Sequence, residues 1–250
     1  MKQLFFLSGI PRSGITLISA ILNQNPNIYV TTTSPLVELL WRNYKLWEEN
    51  REDFATKKLQ DIKKPYLRKL TNLYYSELTN KPVVIDKRRQ WQNIENIKMY
   101  KNIFGEMPKI ICPVRNVEEI IASFISLYQK NNRKWNYKEM KDNIFENSYS
   151  QLKECFNSEF RGCLLLVEYN DLVTKTKEVL DKIYDFVKQP SYKHDLNNIV
   201  SNESEEVSDL MYRLMGLHTI SKTIIKSQTD PRKILTKEQY IEYKKWNFWK

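Results

Sequence analysis

Leu4-Phe5-Phe6-Leu7-Ser8-Gly9-Ile10-Pro11-Arg12-Ser13-Gly14-Ile15-Thr16-Leu17 is the stretch that decides the fold. Four apolar residues run into a loop with a glycine at each end, and Leu17, Ile18, Ile21 and Leu22 continue at helical spacing. The order is therefore strand, glycine turn, helix. Gly9, Gly14 and Thr16 keep the G-x-x-x-x-G-K-[ST] spacing, but Ile15 stands in the lysine position. Such a turn aims backbone N–H groups and the positive end of a helix at one point, which suits an anion. In nucleoside triphosphate enzymes the loop lysine reaches the terminal phosphates, so isoleucine there argues against triphosphates. Arg12 supplies a cation instead.

Further along, Val83-Val84-Ile85, Lys109 to Val114 and Cys163 to Tyr169 are short β-rich runs, each followed by a helical pattern. Apolar runs without alternation suit strands buried on both faces. The expected fold is α/β, a P-loop-type three-layer sandwich with a central parallel sheet, and ligands on such sheets bind at the carboxyl ends of the strands. Residues 35–79 carry Leu36, Leu39, Leu40, Leu59, Ile62, Leu67, Leu70, Leu73 and Tyr74 at helical spacing, which predicts two or three helices inserted after the first βα unit. Trp41, Tyr44 and Trp47 in this insertion are core residues or, alternatively, the lining of an acceptor site.

At 250 residues, with no proline- or glycine-rich linker and no repeat, the chain reads as one domain over 1–250. A net charge of +10 attracts anions without choosing among nucleotides, glycans, nucleic acid and lipid. No nucleic-acid module is present in the sequence. Cys112, Cys155 and Cys163 form no C-x-x-C pair, so neither a disulfide framework nor a metal site is expected. Pro11 to Gly14 interrupt the N-terminal apolar run, and no stretch has membrane-spanning length, so a cytoplasmic protein without a membrane span is expected.

Arg115 ends the run at 109–114, and Ser123 lies eight residues later on the next predicted helix. That separation is a rise of roughly 12 Å, which a long side chain folding back can shorten. Asp86-Lys87 places a lysine at the same sheet edge as the loop. Ser221-Lys222 and Pro231-Arg232-Lys233 make the last third basic.

Taken in this order, the loop, the lysine and the arginine–serine pair resemble the sulfotransferase superfamily, whose members use 3′-phosphoadenosine 5′-phosphosulfate (PAPS) and release adenosine 3′,5′-bisphosphate (PAP). Pro-Arg-Ser-Gly-x-Thr-Leu is similar to the 5′-phosphosulfate loop of tyrosylprotein sulfotransferases and bacterial relatives. Asn23 to Pro26, Glu168 to Val173, His194-Asp195 and Gly216-Leu217-His218 extend the likeness. The resemblance implies that Arg12, the amides of Ser13, Gly14, Ile15, Thr16 and Leu17, and the Thr16 hydroxyl hold the phosphosulfate. It implies that Lys87 stabilises the transferring group and that Arg115 and Ser123 bind the 3′-phosphate. Tyr169, Ser221, Lys222 and Lys233 follow as weaker cofactor contacts, and no metal is implied.

Two departures stand out. Ile15 replaces a threonine common in the family, and neither of the family's known bases is present. Thr31-Thr32-Thr33-Ser34 occupies the stretch where tyrosylprotein sulfotransferases carry an acid, and Arg89 stands where cytosolic members carry histidine. His218 and Glu38 rank above His194 as replacements, a histidine having the more suitable unperturbed pKa for a base near neutrality, and whether the chain has a base at all stays open. The acceptor is left open among glycan, phenol, lipid and peptide tyrosine. Two other readings stay open, a P-loop small-molecule kinase and a catalytically silent protein that binds PAP or a polyanion.

Overall fold

The computed structural model describes residues 2–49, 52, 56–132, 145–200, 220–226 and 229–250. Five strands, β1 (Gln3–Leu7), β2 (Ile28–Val30), β3 (Val83–Lys87), β4 (Ile110–Val114) and β5 (Leu164–Glu168), form one sheet in the order β2-β3-β1-β4-β5. Every pairing is parallel. The four apolar runs of the sequence are four of these strands. The fifth, β2, was not expected; it is a three-residue edge strand, too short to show a pattern.

Alternation along the strands sends side chains to two cores. Phe6, Val84, Ile110 and Cys112 pack on one face, beneath α2 (Leu36–Glu49), α3 (Lys57–Leu78), α4 (Ile94–Phe104), α5 (Val117–Lys130) and α6 (Glu146–Phe156). Leu7, Val83, Ile85 and Ile111 pack on the other, against α1 (Ile15–Leu22), α7 (Tyr169–Thr174) and α8 (Thr176–Val187). These are the three layers expected. The insertion resolves into two helices, α2 and α3. Their Leu36, Leu40 and Leu67 are buried, whereas Leu39, Ile62 and Leu73 are exposed.

The C-terminal helix α9 (Lys237–Lys244) lies against α5. Trp246 stacks with Phe145 and packs on Tyr149, whose hydroxyl donates to the Trp246 carbonyl at 2.8 Å. Asn247 accepts from the first helical N–H of α5, that of Val117, at 2.8 Å. The terminal aromatics thus fasten the chain end to the body and cap the helix that carries Ser123. The thiols of Cys112, Cys155 and Cys163 are buried and unbridged, and burial raises all three pKa values, Cys155 to about 12. They are core groups.

Among the described residues no helix is long and apolar enough to cross a membrane.

Candidate active site

The chain leaves β1, the central strand, for β2 and β3 on one side and β4 and β5 on the other, so the sheet order reverses at β1. A crevice at such a switch point is where open parallel sheets bind ligands. The loop from Ser8 to Gly14 fills this position, with Lys87 in register beside Leu7 and Arg115 directly beyond β4.

Backbone conformation builds the loop. Gly9 has φ +130°, and a Cβ there would stand 2.7 Å from the Pro113 carbonyl oxygen. Gly14 has φ +99°, and its Cβ would stand 3.1 Å from both Leu172 and Tyr169. Only glycine fits either place. Ser13 is fully buried, its Oγ 2.6 Å from the Ile10 carbonyl and 2.8 Å from that of Pro113, and Ser8 Oγ donates to Arg89 O at 2.8 Å. These two hydroxyls therefore brace the loop from within. Gly14 precedes α1 without offering a side-chain cap, and the first turn of α1 holds no acid. The opening amides of α1 are those that an intrahelical ladder cannot satisfy.

Arg12 is a non-glycine residue at φ 66°, a left-handed conformation that costs about 1–2 kcal/mol and is sustained only where its surroundings impose it. It points the guanidinium at α5, where Nε donates to Ser123 Oγ at 3.3 Å. Arg115 Nη1 lies 3.5 Å from the Arg12 carbonyl oxygen, and Nε pairs with Glu119 at 3.0 Å. The Arg115 guanidinium covers the Tyr169 ring at 4.3 Å. Burial first, then the charge of Arg115, lowers the Arg12 pKa, with Tyr169 acting in the opposite direction. Two cations held this close under partial burial favour an anion between them.

The expected Arg115–Ser123 convergence is thus modified. Ser123 receives its hydrogen bond from Arg12, and Arg115 turns to Glu119 one helical turn along. All three residues therefore meet in one cluster. Glu119 was missed, although its spacing of four from Arg115 suits an ion pair.

Lys87 is buried at the end of β3, on the α1 side. Its backbone N–H donates to Thr31 Oγ1 at 2.7 Å. The preceding Asp86, fully buried on the opposite face, accepts from the Tyr75 hydroxyl and the Trp91 indole. Burial raises its pKa, while bonds from Ser34, Tyr75 and Trp91 and the charge of Arg88 oppose the rise. Asp86 is thus an anchor that fixes the end of β3, and with it Lys87.

The remaining candidates are scattered. Glu38 is exposed on α2 and paired with Arg42 at 2.8 Å. His194 binds the Tyr184 hydroxyl at 2.9 Å beside Asn25, which precedes β2 and so marks the opposite edge of the sheet. His218 lies outside the described residues. Ser221, Lys222 and Lys233 are exposed; the Lys222 carbonyl accepts from Ile199 N at 2.7 Å, and Lys233 belongs to a 3-10 turn packed on α5. A cleft of about 440 Å³ walled by Leu4, Tyr100, Phe104 and Lys109 adjoins the starts of β1 and β4, away from the loop.

The profile of the Sulfotransferase family matches residues 5–193. The chain belongs to that family. Solved sulfotransferases share its fold. A sulfotransferase domain from a Synechococcus olefin synthase is 18% identical, with 98% of this chain and 94% of that chain covered and a TM-score of 0.54. Mouse sulfotransferase SULT7A1, complexed with PAP, is 14% identical, with 98% and 83% covered and a TM-score of 0.53. A sulfotransferase from Alicyclobacillus acidocaldarius is 13% identical, with 81% and 88% covered and a TM-score of 0.52. No curated protein matches the sequence.

Proposed function

We propose that this sulfotransferase uses PAPS as donor and transfers the sulfuryl group to an acceptor hydroxyl or amine by in-line displacement. The observation that carries the reading is the cluster of Arg12, Arg115 and Ser123, set beside a glycine-built helix N-terminus and across β1 from Lys87. The left-handed backbone of Arg12, the Cβ-free surfaces of Gly9 and Gly14 and the uncapped start of α1 suit a phosphosulfate. Arg115 and Ser123 suit a further phosphate, which for PAPS is the 3′ group.

In the reaction the acceptor oxygen or nitrogen attacks sulfur and the bond from sulfur to the phosphate oxygen breaks. That electron pair stays on PAP, and the acceptor's proton passes to water. Charge builds on the departing oxygen, where positioned cations are most effective. Arg12 and Lys87 are the cations in place. Arg12 holds the donor's phosphosulfate, and Lys87, whose backbone is held by the Thr31 bond and the Asp86 anchor, stabilises the departing oxygen.

Incubation with sulfur-labelled PAPS and a panel of glycans, phenols, lipids and tyrosyl peptides tests this reading. Label transferred to an acceptor with PAP released in equal amount is the expected result. PAP-independent hydrolysis of ATP with no sulfate transfer would overturn it.

A further inference from the structure

Along the carboxyl edge of the sheet the chemistry falls in a line. Arg115 lies beyond β4, the loop beyond β1, Lys87 at the end of β3, and Thr31 to Ser34 beyond β2. Four neighbouring strands span about 14 Å. With the donor over β4 and β1 and its sulfur toward Lys87, the acceptor must approach from the β2 side. This rests on the donor reading proposed above.

Arg88 stands on that approach. Its backbone N–H continues the β3–β1 ladder by donating to Leu7 O at 3.1 Å, and its Nη1 donates to Thr33 Oγ1 at 3.2 Å. Its Nε is buried and has no hydrogen-bond acceptor among the described residues. The nearby carboxylate, Asp86, is already committed to Ser34, Tyr75 and Trp91. A buried guanidinium N–H without an acceptor is costly, and the Nε–Nη2 edge of arginine matches two oxygens of one anion. Ser34, Thr33 and the Tyr74 hydroxyl, which lies 3.5 Å from Ser34 Oγ, surround this side with neutral hydrogen-bonding groups.

We propose that the acceptor carries an anionic group, a carboxylate or sulfate ester near its reacting hydroxyl, and that Arg88 binds that group through its guanidinium. Arg88 is then a specificity residue of the acceptor side, distinct from the cations that hold the donor.

The test uses PAP-saturated protein labelled with ¹⁵N-arginine, in which the Arg88 Nε–H signal is assigned by its loss in Arg88→Gln. The protein is titrated with 4-hydroxybenzoate and, separately, with the neutral 4-hydroxybenzamide. The expected result is a saturable shift of the Arg88 signal by the benzoate, with affinity about tenfold or more above the amide, the scale of one charge-assisted hydrogen bond. That preference should vanish in Arg88→Gln and persist in part in Arg88→Lys. Equal affinity for the two compounds, an unmoved Arg88 signal, or loss of PAP binding in Arg88→Gln would overturn the proposal. The last outcome would place Arg88 in the donor site, and failure of PAP to bind the wild type would instead remove the donor reading beneath it.

Discussion

Arg12 Nε donates to Ser123 Oγ at 3.3 Å across 111 residues of sequence, joining the loop after the central strand to the helix after its neighbour. The contact couples the two phosphate-binding elements of the proposed site. Ser123→Ala should weaken PAP binding about tenfold or more, the scale of one hydrogen bond to a charged group. In a double-mutant cycle, calorimetry on Arg12→Ala, Ser123→Ala and the pair should give a coupling of about 0.5 kcal/mol or more. Strict additivity would mean that the two residues act on the ligand independently.

Lys87 has a different role from Arg12. If it acts on the departing oxygen, Lys87→Ala should lower kcat about 10²- to 10³-fold, with a much smaller rise in the KM for PAPS. Single-turnover rates at saturating donor measure this. A change confined to KM would make Lys87 a binding residue only.

Gly9→Ala should be among the most damaging single-methyl changes in the chain. The new Cβ meets the Pro113 backbone oxygen at 2.7 Å from a backbone with φ +130°. A cost of about 3 kcal/mol, combining backbone strain with overpacking, corresponds to a Tm lower by about 6–12 °C in a domain of this size. Calorimetric melting checks it, and an unchanged Tm would mean that the loop has moved. Gly105, with open space at its Cβ position, serves as the comparison, because Gly105→Ala brings only the strain of φ +80°.

Burial lowers the pKa of His194 below its ordinary 6.5, opposed by a bond to the Ile21 backbone. The unfolded chain takes up a proton at this residue near pH 6.5, and the folded chain resists it. The contribution to stability is therefore full above pH 6.5 and is lost as pH falls through the depressed folded value. The wild type should lose more stability than His194→Gln between pH 7.5 and pH 5 in urea melts. Parallel losses would show that His194 is not responsible.

Much of this architecture is legible in the sequence because its strands are buried on both faces. Val83 to Ile85 and Ile110 to Val114 are continuous apolar runs that helices must cover. The edge strand Ile28–Val30 escapes such a reading, since three residues establish no period. Leu39, Ile62 and Leu73 follow the helical pattern yet are exposed, as the apolar stripe of α2 and α3 is wider than the face they bury. The loop, Lys87, Arg115 and Ser123 are recoverable from motif spacing. Their connection is not, because the Arg12–Ser123 bond depends on a left-handed residue and on the adjacency of β1 and β4. Arg88 carries no motif at all; its significance lies in a buried Nε and in where Thr33 and Asp86 stand around it.

The central claim is that the cluster of Arg12, Arg115 and Ser123 binds a 3′-phosphate as well as the 5′ group, and differential melting with PAP and AMP tests it most directly. At a hundredfold excess over its dissociation constant PAP should add about 2.7 kcal/mol of stability, which raises the Tm by about 5–11 °C. AMP at the same concentration should raise it far less, and Ser123→Ala should narrow the difference. Equal shifts from the two nucleotides would contradict the account.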